Sequence, residues 1–155
     1  MPIVDVVDST WFAARPAAVA AVVAEPGNWR RWWPGLTLTV DEWRGEKGVR
    51  WSVPSAAGPA AGLSGSAEVW LEPVADGVVG HFFLRLDPPA GTRVSPRRAA
   101  RITHVYRIRT KQAFWALADE LDLGRAARAG QSVLPIEVAR PRLPVEPAGV
   151  ASARD

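Results

Sequence analysis

The sequence predicts an α+β fold: a curved antiparallel sheet, covered on one side, wrapped around a long C-terminal helix, with two short helices after the first strand. Three observations lead there. Stretches between residues 36 and 87 alternate apolar and polar side chains, as strands with one buried face do. After Pro96, apolar residues recur at helical spacing. Between the first strand and the sheet, Pro16, Pro26-Gly27 and Pro34-Gly35 cut the chain into segments that suit only brief helices.

Residues 3–12 (IVDVVDSTWF) are β-branched and aromatic and read as a strand. Pro16 suits a first helical turn, and residues 16–25 form a short helix with Val19, Val22 and Val23 on one face. Asn28 is the expected cap of a second helix over WRRWW, closed by Pro34-Gly35. Four strands follow. Their apolar phases are Leu36, Leu38 and Val40 in 36–44, and Val49, Trp51 and Val53 in 49–53. The next two carry Leu63, Ala67, Val69 and Leu71 in 63–72, then Val78, Phe82, Leu84 and Leu86 in 78–87. Ala75-Asp76-Gly77 is a hairpin turn, and the small residues of 54–62 read as a flexible loop. Ser95-Pro96 supplies a side-chain cap and a first-turn proline for the last helix. Its stripe is Ala99, Ile102, Tyr106, Ala113, Phe114, Leu117 and Leu121, and Gly124 is the expected stop. One domain is expected over residues 1–125. Residues 126–155, rich in proline and without periodicity, are expected to be a disordered tail.

The chain has 155 residues, 48% hydrophobic and 23% charged, which fits one globular domain with a sizeable core. It has no cysteine, so disulfide scaffolds, thiol nucleophiles and Cys-ligated zinc are excluded. No run of about 18 apolar residues predicts a membrane span, and the N-terminus lacks signal-peptide features. The expected location is cytoplasmic. Five of the eight tryptophans (Trp29, Trp32, Trp33, Trp43, Trp51) crowd into one short stretch, as either a dense core or the wall of an aromatic pocket.

This ordered combination resembles the START/Bet v 1-like superfamily, specifically its bacterial polyketide cyclase/dehydrase and lipid-transport group. The residues that carry the resemblance are the strand running into Ala-Ala-Arg-Pro-Ala-Ala-Val and the tryptophan-rich Asn28–Pro34. Trp70-Leu71-Glu72-Pro73 with the Asp76-Gly77 hairpin, and Ala-Leu-Ala-Asp-Glu-Leu at 116–121, complete it. The resemblance spans residues 3–125 and implies a helix-grip fold holding a hydrophobic small molecule, lipid or polyketide-like, between sheet and helix. It carries no shared catalytic motif, so cyclase/dehydrase activity and simple carriage both stay open. Five strands are found where six or seven are usual, which implies a smaller space.

The inward phases nominate a ligand-binding set: Leu38, Val40, Trp51, Val53, Val69, Leu71, Phe82 and Leu84 on the sheet, with Tyr106, Phe114 and Leu117 on the helix. These residues either line a cavity or pack directly together. Tyr106, the single tyrosine, is a candidate to orient a ligand or donate a proton; its alternative is a core tyrosine bonded to backbone. Asp8 breaks the apolar phase of the first strand. If inward, it is a candidate acid or base; a bulge that turns it outward is the alternative. His81 and His104 read as surface residues. No metal cluster, Ser/His/Asp set, phosphate loop or dinucleotide fingerprint is found, and no cofactor is implied.

Residues Arg93 to Lys111 hold seven basic residues and no acid. This is a solvated helix face or, in the alternative reading, an interaction module that uses it or the tail to bind a protein or polyanion. No specific nucleic acid is expected. Basic residues one turn apart repel, and they oppose the helix dipole, so an acidic partner is expected, with Glu68, Glu72 or Asp87 as candidates.

Overall fold

The structure, a computed structural model, describes residues 1–132, with side chains through Gly124. Five strands form one antiparallel sheet in the order β1-β5-β4-β3-β2: β1 (Val4–Phe12), β2 (Leu36–Trp43), β3 (Gly48–Ala56), β4 (Ser64–Val74) and β5 (Gly77–Asp87). Helices α1 (Pro16–Val23) and α2 (Pro26–Trp32) connect the two edge strands, and α3 (Pro96–Ser132) lies chiefly along β1. This is the expected helix-grip architecture. Period-two burial puts Val69 and Leu71 of β4, and Phe82, Leu84 and Leu86 of β5, on the inner face. Two register shifts in the β2–β3 pairing, at Thr37/Thr39 and Val40/Glu42, add the local twist that curls the sheet.

Several local readings change. The cap of α2 is Glu25, whose carboxylate accepts from Gly27 N–H at 3.4 Å. Asn28 lies inside α2 and instead donates to Val22 C=O at 2.9 Å, tying the two short helices together. Part of the expected flexible loop is built: β3 runs on to Ala56, a 3₁₀ turn spans Gly58–Ala60, and Ala60 is buried. Gly35 sits at φ 94°, where a Cβ would meet Ala57 C=O at 2.8 Å, so only glycine allows this tight passage into β2.

The start of α3 is as read: Ser95 Oγ accepts from Arg98 N–H at 3.2 Å and Pro96 opens the first turn. The end is not. The helix passes through Gly124, and past the expected tail boundary at 126, to Ser132. An interior glycine costs about 1 kcal/mol, and the helix formers around it, Ala116, Leu117, Ala118 and Glu120 before and Arg125, Ala126 and Ala127 after, outweigh it. From residue 133 the expected tail lies outside the described residues. Among the described residues no helix is long and apolar enough to cross a membrane.

Candidate functional site

The space between sheet and α3 is occupied by Trp33. It follows the last residue of α2, its N–H still bonded to Trp29 C=O at 2.8 Å, and leaves the helical conformation there. Its ring drops onto Phe82, stacked at 4.6 Å between centroids and 12° between planes. Edge contacts reach Trp51 at 5.9 Å and Phe114 at 6.3 Å, and Phe114 continues to Phe12 at 5.8 Å. Trp33 Nε1–H donates to Thr110 Oγ1 at 2.9 Å, so the indole is both packed and satisfied.

The sequence-nominated set meets around this ring. Trp51, Val53, Val69, Leu71, Phe82, Leu84, Tyr106, Phe114 and Leu117 are buried, and Leu38 and Val40 are half-buried against the same core. Of the two readings, a lined cavity or direct packing, the contacts of Trp33 with Phe82 and Phe114 are packing at this point of the interior. Sequence reasoning missed this place of Trp33 by assigning it to the second helix; the Pro34-Gly35 that follows marks where that helix must already have ended.

The two candidate acid–base residues stand apart. Asp8 faces inward without a bulge, since β1 pairs with β5 in unbroken register and Asp8 lies opposite Phe82. Lys111 on α3 answers it, Nζ to Oδ1 at 2.6 Å, and Lys111 Nζ also lies 5.6 Å from the Trp115 ring centre. The acidic partner expected for the basic helix is therefore Asp8. Glu68 pairs with Arg44, Glu72 with His81, and Asp87 accepts Ile3 N–H. Tyr106 is fully buried, its hydroxyl near Gly35 and without a partner among the described residues, as is Trp51 Nε1. Burial raises the Tyr106 pKa, against a smaller lowering by Arg109, so the phenol stays neutral.

One hydrogen-bonded row escaped the sequence reading. On the outer sheet face, Ser9 Oγ lies 2.8 Å from His81 Nδ1, and His81 Nε2 lies 2.9 Å from Glu72 Oε2. The His81 ring stacks on Trp70 at 5.2 Å. The residues come from β1, β5 and β4, and only the strand order brings them together. They stand on the outer sheet face, beside a hollow that Trp70 shares with Arg50, Glu68, Phe83 and Arg85, and the row itself reads as cross-strand pairing.

One concave site with both apolar and polar walls lies between the short helices and α3. It has a volume of about 320 Å³, within the usual range of small-molecule sites. Val22, Trp32, Ala113, Ala116 and Leu117 form its apolar surface; Arg31, Arg109, Gln112 and Glu120 edge it. Trp32 and Leu117 are buried and continuous with the core, Trp32 lying 5.9 Å from Phe114 and 5.5 Å from Trp33. Arg31 is steadied by Asn28, Nη2 to Oδ1 at 2.9 Å, and neither Arg31 nor Arg109 pairs with a carboxylate among the described residues. Another hollow, between the alanine face of α1 and Trp43, is almost wholly apolar, with Glu46 its one charged lining residue.

No family model and no curated protein matches the chain. Solved structures do. A protein of Deinococcus radiodurans is similar at TM-score 0.55 and 14% identity, over 77% of this chain and 98% of its own. The Aha1 dimer from Colwellia psychrerythraea is similar at TM-score 0.51 and 14% identity, over 78% and 98%. At these identities the likeness is one of fold. A di-domain ARO/CYC from the steffimycin biosynthetic pathway matches at TM-score 0.41 and 16% identity, over 82% of this chain and 52% of that one, too loosely to argue from.

Proposed function

We propose that the protein binds a small molecule with an apolar body and an anionic group, in the cleft between α2 and α3. The observation that carries this is the pairing of a buried apolar floor, Trp32 and Leu117, with two guanidinium groups, Arg31 and Arg109, at its edge. An apolar body displaces water from the floor, worth roughly 25 cal/mol per Å² covered. The guanidiniums recognise a carboxylate or phosphate by charge-assisted, two-pronged hydrogen bonds. A lipid-like or polyketide-like acid meets both demands, in keeping with the START/Bet v 1-like resemblance of the sequence. The reading includes a cytoplasmic location. It assigns no bond-making step, since Asp8 is engaged by Lys111 and Tyr106 lies beneath Gly35, neither lining the cleft.

Titration with decanoate, followed by tryptophan fluorescence, tests the proposal. Arg31→Glu with Arg109→Glu is expected to weaken binding by about 10-fold to 100-fold while thermal stability changes little. Wild-type protein that binds no decanoate, or binding that ignores both substitutions, refutes it.

A further inference from the structure

The solvent-facing side of α3 carries a pattern of which the fold itself uses only Lys111, paired with Asp8 and set against the Trp115 ring. Taking about 100° per residue, Arg97, Arg101, His104, Ile108, Lys111, Asp119 and Asp122 all fall within about 40° of Trp115. Along this seam successive residues lie three or four apart, as at helix–helix contacts. The first two turns are basic, the middle is apolar and the end is acidic. Arg97, Arg101, His104, Asp119 and Asp122 are exposed, and so are the apolar side chains Ile108 at 42% and Trp115 at 59%. Within one chain the basic end lacks an acidic answer: Lys111 alone reaches a carboxylate, Asp8, while Arg97 and Arg101 form no ion pair among the described residues. Their charge also opposes the helix dipole at the start of α3.

Antiparallel self-association answers the exposed apolar pair and the unpaired Arg101. With a twofold axis beside Lys111 and Gln112, Ile108 meets Trp115 of the partner subunit and Arg101 meets Asp122 of the partner subunit. His104 then meets Asp119 of the partner subunit. Each contact occurs twice. A parallel arrangement would set basic against basic and acidic against acidic, so the charge pattern selects both the partner and its direction.

We propose that two copies of this chain associate antiparallel through the solvent face of α3. Trp115 and Ile108 are the anchors, and the charged ends fix orientation and register. The helix that closes the core on one side thus serves assembly on the other.

Sedimentation equilibrium of the full chain, with a charge swap, tests this. The wild type is expected to approach twice the 16.7 kDa chain mass at micromolar concentration. Arg101→Glu alone, or Asp122→Arg alone, sets like charges against each other and is expected to raise the dimer Kd at least about tenfold. The two reversals in one chain restore opposite pairs and are expected to return Kd to within about threefold of wild type. Trp115→Glu, at an exposed position that leaves the core intact, is expected to give monomer. A wild type that stays monomeric, a dimer indifferent to these changes, or a double reversal that fails to restore association overturns the proposal.

Discussion

The interior beneath the sheet and the cleft beside α2 are built from neighbouring tryptophans, and they differ in what the second tryptophan does. Trp32, the last residue of α2, shows one face to the cleft and the other to the core. Trp33, one residue later, falls out of the helical path and fills the interior. The interior is thereby closed, while the cleft stays open and carries fixed charge. One side chain thus packs the core beneath the sheet, while its neighbour lines accessible apolar surface at the helix boundary.

Removing Trp33 is the largest way to break this comparison. Trp33→Ala is expected to cost about 3–5 kcal/mol in urea denaturation, because it deletes the ring that joins Phe82, Trp51 and Phe114 and strips Thr110 of its buried partner. The variant, where folded, is expected to bind decanoate in the interior as well, so binding no longer depends wholly on Arg31 and Arg109. Unchanged stability would mean that Trp33 is not what fills the space.

Lys111→Met probes the rim between the two regions. It leaves Asp8, its side chain 8% exposed, as an uncompensated buried carboxylate. A fully buried pair broken on one side costs about 3–5 kcal/mol. Lys111 is 36% exposed and water can approach, so about 1–3 kcal/mol is expected here. Asp8→Asn added to Lys111→Met is expected to recover most of the loss.

The smallest effect concerns Tyr106, buried in the interior core. Its pKa is raised by burial, so the native state holds the phenolic proton to a higher pH than the unfolded chain. Above tyrosine's ordinary pKa of about 10 the unfolded state binds fewer protons, and stability falls as pH rises. Tyr106→Phe is expected to remove this alkaline component. Near pH 7 it should change stability by less than about 1 kcal/mol, because the hydroxyl it deletes has no partner among the described residues. An alkaline slope that persists in Tyr106→Phe would assign it elsewhere.

Most of the fold was legible from the sequence, for reasons visible in particular residues. Strand alternation identified the inner face, and the Ser95-Pro96 start of α3 is a local signal that tertiary packing did not override. Gly124 misled because a single glycine is a weak stop within a strong helix-forming stretch. The site was less legible. Asp8 read as a candidate acid or base, or as a bulge, because its partner, Lys111, lies 103 residues away. The Ser9–His81–Glu72 row depends on which strands are neighbours, and the cleft depends on how α2 docks on α3. None of these follows from local pattern. The tryptophan cluster was legible as either dense core or pocket wall; Trp33 does the first and Trp32 the second.

The most direct test of the binding site is the set of indole N–H signals in a two-dimensional ¹⁵N NMR spectrum during decanoate titration. A ligand in the cleft is predicted to move the Trp32 signal and leave that of Trp51 in place, its ring being screened behind Trp33. A shift of the Trp51 and Trp33 signals with Trp32 unmoved would contradict the account and put the ligand in the interior.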